Sequence, residues 1–201
     1  GGRVGFNGDR SIGEIVLSGG TLEGSGVMEI RDRFSWTGGT LRGSGETRMN
    51  SGGTLILEGR RKELQRRLVT AGQCEWSSGN IRFSNGTFVN AVGGEMDVTL
   101  SGNLEWNGGE NRFINEGVIR KVGEGQLEAN ASVGFDNRGE IDVQLGSLVL
   151  SGGGTSSGEY LLNEGVSLSY TGGDTVLTET SGLRGAGSVS FTGGNTQIGG
   201  A

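Results

Sequence analysis

The segment Phe34–Gly39, with the sequence FSWTGG, carries the pattern that decides the fold. An apolar residue, a spacer and a larger apolar residue alternate, and a small polar residue and two glycines follow. Alternation with a period of two is typical of a strand with one buried face, and glycine supplies the positive φ of a tight corner. Similar segments are Ile15–Gly20, Leu55–Gly59, Cys74–Gly79, Leu104–Gly109, Leu148–Gly153, Leu168–Gly173 and Val189–Gly194. Each copy therefore predicts one short strand followed by one turn.

The spacing of these copies predicts the architecture. Their larger apolar residues are 19 to 22 residues apart at most steps, and one step is 30 residues long. The 44 residues from Trp106 to Leu150 leave room for one poorly marked copy near Leu127. A period near 20 with several short strands and glycine turns is typical of stacked solenoid coils. We therefore predict an all-β, single-stranded parallel β-helix (β-solenoid) of about nine coils of about 20 residues. Residues 1–201 are expected to form one continuous segment of a longer chain.

The larger apolar residue occupies the same position in every copy and therefore lies on the same side of each predicted strand. We predict that these side chains point inward and stack from coil to coil, because a slip of one residue would turn all of them outward. The predicted core ladder consists of Leu17, Trp36, Leu57, Trp76, Trp106, Leu150, Tyr170 and Phe191.

A second motif places asparagine at another corner of the coil. The segments Phe113–Ile119 (FINEGVI) and Phe135–Ile141 (FDNRGEI) match each other closely. Such an asparagine can bond to the asparagine of the next coil, or it can be present because it tolerates the left-handed conformation. Both interpretations remain open. The candidates for an asparagine ladder are Asn90, Asn115, Asn137 and Asn163.

Two stretches depart from the repeat, and we expect irregular excursions near 60–67 and 82–98. The first would be a helix if taken alone, but only 19 residues separate the flanking copies, so an extended segment or loop is expected. Its basic residues form either a docking patch for an acidic partner or a solvated face. They are Arg60, Arg61, Lys62, Arg66 and Arg67. The second stretch lies in the 30-residue step, and loop excursions often carry binding function.

Composition excludes several classes of function. The 201 residues include 44 glycines but no proline, no histidine and only one cysteine. Without histidine there can be no Ser-His-Asp triad and no HExxH zinc site, and the lone Cys74 cannot form an internal disulfide. We therefore predict a non-enzymatic protein with no catalytic, cofactor-binding or metal-binding residues. A net charge of −6 argues against nucleic acid, and no apolar run is long enough to predict membrane insertion.

Taken together, the motifs resemble the glycine-rich β-solenoid repeats of large extracellular and cell-surface proteins. These include adhesin shafts of the filamentous-haemagglutinin and autotransporter kind. The resemblance rests on W-[TS]-x-G-x-[LI], L-x-G-[SA]-G and F-x-N-x-G-x-I, and it covers essentially the whole chain. It implies right-handed winding and a structural rod or shaft segment of a secreted or cell-surface filament or adhesin protein. Self-association or other surface and filament proteins are the implied partners.

Two alternatives remain within the same fold. One is an adhesin module that binds glycan or protein through exposed loops. The other is a polysaccharide lyase or hydrolase, since enzymes similar to pectate lyase and polygalacturonase use clustered aspartates on a β-helix. Here there is no Asp-Asp pair, although Asp97 and Asp142 could align. The tripeptides at Asn85 and Asn130 match the N-glycosylation acceptor sequence, at a frequency expected by chance.

Overall fold

The structure is a computed structural model that describes residues 2–199. Within that range the chain forms 25 strands joined by turns and bends, with no helix. The first nine strands are β1 (Arg3–Gly5), β2 (Arg10–Leu17), β3 (Thr21–Glu23), β4 (Val27–Trp36), β5 (Gly39–Met49), β6 (Thr54–Leu57), β7 (Lys62–Thr70), β8 (Gln73–Trp76) and β9 (Ile81–Phe83). The next eight are β10 (Thr87–Asn90), β11 (Glu95–Val98), β12 (Gly102–Trp106), β13 (Asn111–Asn115), β14 (Val118–Lys121), β15 (Gln126–Ala129), β16 (Val133–Asn137) and β17 (Glu140–Val143). The last eight are β18 (Ser147–Leu150), β19 (Gly154–Ser156), β20 (Glu159–Leu162), β21 (Ser167–Tyr170), β22 (Asp174–Leu177), β23 (Gly182–Gly185), β24 (Ser188–Phe191) and β25 (Asn195–Ile198).

Each strand pairs in parallel with the strand one coil further along the chain. The pairings form three faces, which we call A, B and C in the order in which the chain visits them. Face A contains β1, β3, β9, β12, β15, β18, β21 and β24, face B contains β10, β13, β16, β19, β22 and β25, and face C contains β6, β8, β11, β14, β17, β20 and β23. The long strands β2, β4, β5 and β7 bend through a corner and contribute to two faces each.

The predicted β-solenoid is therefore confirmed, with about nine coils. Paired residues lie 18 positions apart at Arg3 and Thr21 and 25 positions apart at Gly102 and Leu127. Right-handed winding, which parallel connections favour in almost all proteins, remains our expectation for the coil.

Glycine allows the corners of successive coils to approach closely. Gly154 has φ 143°, and a Cβ at that position would lie 2.2 Å from the carbonyl oxygen of Phe135 on the preceding coil. An L-residue would meet both a forbidden backbone conformation and a backbone clash there. The absence of proline fits the same construction, because nearly every strand must donate its N–H groups to a neighbouring coil.

The two predicted excursions are ordinary parts of the coil. Residues 62–70 are strand β7, which pairs with β5, β9 and β10. Between 82 and 98 the chain completes β9 and forms β10 and β11, one strand on each face. The 30-residue step between Trp76 and Trp106 arises because the repeated motif lies on face C at the first residue and on face A at the second. The 30 residues therefore consist of one full coil and one further strand with its corner, and they include no inserted loop.

The three faces enclose a single apolar core. It extends from Leu17 to Leu177 and consists of the inward side chains of all three faces. Burial of this apolar surface is the main favourable contribution to folding. The fold therefore leaves two places for function, which are the outward side chains and the corners.

Candidate functional site

The predicted core residues do not form one ladder. One column lies on face C and contains Leu17, Trp36, Leu57 and Trp76. A second column lies on face A and contains Leu150, Tyr170 and Phe191. Trp106 is also on face A but pairs with Phe83, whereas its neighbour Leu104 continues the column through Ala129 to Leu150. The single ladder was wrong because the motif moves from one face to another.

Two members of the predicted ladder are exposed. Trp106 is 50% exposed, because pairing between β12 and β15 stops at Leu104 and Ala129 and leaves no strand residue above the indole. Phe191 is 44% exposed, because β24 is the last strand of face A, although its ring stacks on Tyr170 with centroids 5.1 Å apart. The predicted burial of both side chains was therefore wrong.

Buried asparagines form a hydrogen-bonded column on face B. The Asn90 amide donates to Oδ1 of Asn115 at 2.8 Å, and the Asn115 amide donates to Oδ1 of Asn137 at 2.9 Å. Asn115 and Asn137 also donate to the carbonyls of Glu140 and Glu159, at 2.9 and 3.0 Å, where the next face C strand begins. Each amide thus joins two coils and holds the corner between faces B and C.

Asn163 lies outside this column. It is exposed at the corner that follows face C, whereas the position that pairs with Asn137 on the next coil is Ser156. Its predicted membership of the ladder was wrong, because the motif at Leu161–Gly165 falls one corner later in the coil than the other copies. The column therefore contains Asn90, Asn115 and Asn137.

The five basic residues at 60–67 do not form one surface patch. Lys62 and Arg66 are buried, because the alternation along β7 turns them inward with Leu64. Nζ of Lys62 donates to the carbonyl of Ser78 at 2.9 Å, and Arg66 donates to the carbonyls of Gly45 and Gly26 at 3.1 and 3.0 Å. Predicting these two residues as surface docking groups was wrong. Arg60, Arg61 and Arg67 are exposed.

Burial changes the pKa of Lys62. Desolvation lowers the pKa of its ammonium from 10.5 to about 8, against the opposing effect of Glu58 and Cys74. Between these two pH values the unfolded chain binds the proton more tightly than the folded protein does, so stability rises as pH increases through this window. We expect Lys62→Met to have a higher free energy of unfolding than the wild type near pH 7. This difference should shrink as pH rises from about 8 to about 10, because the wild type then loses the cost of burying a charged ammonium. Urea unfolding at pH 7, 8, 9 and 10 measures it.

The control for this experiment is Arg61→Met, which removes an exposed cation from the same segment. Its effect on the free energy of unfolding should not change over the same pH range. A difference for Lys62→Met that stays constant from pH 7 to 10 would contradict the buried titration.

A second buried lysine was missed at the sequence level. Lys121 occupies the face C column between Val98 and Val143, and its Nζ donates to the carbonyl of Gly123. Burial lowers the pKa of its ammonium. The signal was present in the sequence, because Lys121 is two residues from Ile119 and therefore shares its inward phase.

Three acidic residues of face C lie around Arg120. Asp97 and Asp142 are both partners of Arg120, on the coils before and after it. Arg120 lies 2.8 Å from Glu95 and 3.6 Å from Asp97, measured from guanidinium nitrogen to carboxylate oxygen. Hydrogen bonding to Arg120 lowers the pKa of Glu95. Among residues 2–199, no group of three or more acidic or cysteine side chains is placed to hold a metal ion.

The two glycosylation acceptor sites lie at the corner between faces A and B. Asn85 is exposed and has φ 56°, and its Oδ1 accepts the N–H of Glu110 at 3.3 Å. Asn130 is half-buried, and its Oδ1 has no hydrogen-bond partner. Glycosylation at these sites stays a prediction.

The fold and its stacked columns define the class as a parallel β-solenoid repeat protein. Comparison with protein-family models, curated proteins and solved structures gave no match to this chain. No helix in the described part of the chain is long and apolar enough to cross a membrane.

Proposed function

We propose that this chain is a structural, non-enzymatic rod, a shaft segment of a large secreted or cell-surface filament or adhesin protein. The observation that carries the proposal is strand pairing that continues from β1 to β25 along all three faces. Strands about 4.8 Å apart over about nine coils give a rod on the order of 40 Å long. Such a rod holds apart whatever its two ends are attached to.

Side-chain contacts between coils support the same role. The column of asparagines joins three coils through buried hydrogen bonds, and the rings of Phe88, Phe113 and Phe135 stack with centroids 5.0 and 5.1 Å apart. These contacts run along the rod axis and fix each coil on the next.

Ion pairs on the outer surface also connect neighbouring coils. They include Arg42 with Glu23, Arg67 with Glu46, Arg82 with Glu63 and Arg138 with Glu116, and Arg112 makes a further pair with the buried Asp136. Hydrogen bonds from Arg3 and Arg42 lower the pKa of the Glu23 carboxyl to about 2. Each exposed pair contributes little alone, but opposite charges on adjacent coils oppose a shift of strand register.

The proposal includes a secreted or cell-surface location, with self-association or other surface and filament proteins as partners. A shaft in that environment benefits from chemical inertness. Cys74 is buried, and burial raises the pKa of its thiol, so the reactive thiolate is disfavoured. Because nearly every strand is hydrogen-bonded to a neighbouring coil, few backbone sites remain at which a protease could bind.

Amide hydrogen exchange tests the rod directly. We expect peptides from β6 through β22 to exchange together as one protected body, since every inner coil is hydrogen-bonded on both sides. A fast-exchanging coil in the middle of this range would contradict the proposal, because it would divide the rod at a hinge. The non-enzymatic part is tested by incubation with pectin and polygalacturonate, and release of unsaturated or reducing ends would overturn it.

A further inference from the structure

The corner between faces A and B has features on three successive coils that a rod does not require. We call residues 84–86, 106–112 and 130–134 the Trp106 corner. Trp106 is 50% exposed there, whereas the other two tryptophans, Trp36 and Trp76, are 0% and 1% exposed. Nε1 of Trp106 donates to the carbonyl of Gly109 at 3.2 Å, which fixes the indole against this loop. Tryptophan is enriched at binding interfaces, because it offers a large apolar ring together with a polar N–H.

Backbone strain is concentrated at the same place. Within residues 2–199, the non-glycine residues with positive φ are Asn85 at 56° and Ser132 at 70°. They lie at this corner on the coils before and after that of Trp106. Such conformations are uncommon and cluster at binding sites, where the surrounding structure maintains them.

A groove of about 380 Å³ opens at this corner, and its lining begins at Gly109, the residue whose carbonyl accepts the Trp106 N–H. Glycines at Gly109, Gly134 and Gly152 contribute no side chains to its lining, and Glu110 and Arg112 border it. Small-molecule sites usually measure about 300–1,000 Å³, so the groove can accept one or two sugar rings.

A buried carboxylate fixes Arg112 in place at the groove. Asp136 is buried, and its carboxylate accepts hydrogen bonds from the Thr155 N–H and from Nη1 of Arg112, both at 2.8 Å. The Arg112 guanidinium is thereby held at the groove with its other N–H groups exposed, and the Glu110 side chain is exposed as an acceptor. An exposed guanidinium and an exposed carboxylate at the same corner as an exposed indole can bond to the hydroxyl groups of a sugar.

We propose that the Trp106 corner binds a pyranose residue of a neutral polysaccharide. The apolar face of the sugar ring packs on the indole, and its hydroxyls bond to Glu110 and Arg112. Charge selects the neutral class, because Asp136 already neutralises Arg112 and Glu110 adds a negative charge to a chain of net charge −6. An anionic polysaccharide is repelled at this position.

Isothermal titration calorimetry with cellohexaose, mannohexaose and chitohexaose tests the site, with hexagalacturonate as the anionic probe. We expect saturable binding of at least one neutral hexasaccharide, together with protection of one tryptophan from acrylamide quenching. Trp106→Ala should weaken that binding about 10-fold or more through loss of the aromatic platform. Glu110→Gln, which keeps the side-chain shape, should weaken it several-fold and does not alter the core.

Val92→Ala is the matched control, since it removes another exposed apolar side chain, 78% exposed, from a different corner. Its affinity should equal that of the wild type. The proposal is overturned if no neutral hexasaccharide binds, if only hexagalacturonate binds, or if both Trp106→Ala and Glu110→Gln retain full affinity. Hydrogen exchange of the inner coils, which tests the rod, is independent of these outcomes.

Discussion

Replacing Asn115 by alanine is expected to lower the free energy of unfolding by about 3 kcal/mol or more, because a buried polar group left without its partner costs about 1–3 kcal/mol. The substitution removes the donor to Asn137 Oδ1, the donor to the Glu140 carbonyl and the acceptor of the Asn90 amide. The column would be interrupted at its middle member. Urea unfolding followed by circular dichroism and by tryptophan fluorescence measures the loss.

Asn163→Ala is the matched control, because it deletes the same amide from an exposed corner. Its effect should stay within about 0.5 kcal/mol, as for most surface substitutions. Equal losses for Asn115→Ala and Asn163→Ala would show that the column does not stabilise the protein.

The second large effect is expected for Trp76→Ala, which should lower the free energy of unfolding by about 3–5 kcal/mol. Trp76 is fully enclosed on face C, where it packs in register between Leu57 and Val98. Its Nε1 also donates to the carbonyl of Gly79 at 2.8 Å, so the substitution leaves both a cavity and a corner carbonyl without its donor. Thermal and urea unfolding both measure this change.

Trp106→Ala provides the comparison, because it removes the same side chain from the same sequence motif. With half of the Trp106 surface in solvent, we expect a loss below about 1.5 kcal/mol. A loss for Trp106→Ala as large as that for Trp76→Ala would contradict the exposed position of the indole.

The fold could be predicted because its signals are local. Alternation within a strand, glycine at a corner and a spacing near 20 residues can all be recognised without knowing which strands pair. The segment Phe34–Gly39 alone contains the first two of these signals. Parallel coils were predicted because a period near 20 residues with several short strands and glycine turns is typical of a β-solenoid.

The face on which each motif lies could not be predicted in the same way. A coil has three strands, and each is followed by a glycine-rich corner. The same sequence motif can therefore end a strand on any of the three faces. Trp76 ends a face C strand and Trp106 ends a face A strand, although their local sequences are alike. Only pairing with the neighbouring coil distinguishes them, and pairing is a nonlocal property.

The surface assignment of two basic residues was wrong for a physical reason. Lys62 and Arg66 were assigned to the surface because cations are rarely buried. In a solenoid, however, the inner side of a corner presents backbone carbonyls, and a long apolar stem can bring a cation to them. Gly45 and Ser78 supply such carbonyls. The exposure of Trp106 was missed because the motif assigned this residue to the core.

The column of asparagines also aligns amide dipoles along the rod axis. Every amide in it donates toward the C-terminal coils, and Asn115 and Asn137 accept from the N-terminal side, whereas Oδ1 of Asn90 has no partner. Aligned amide dipoles polarise one another, so each added member strengthens the bonds already present. Thr70 precedes Asn90 in this column and Ser156 follows Asn137, and both are short polar residues. Asparagine at either position would lengthen this line of aligned amides along the axis.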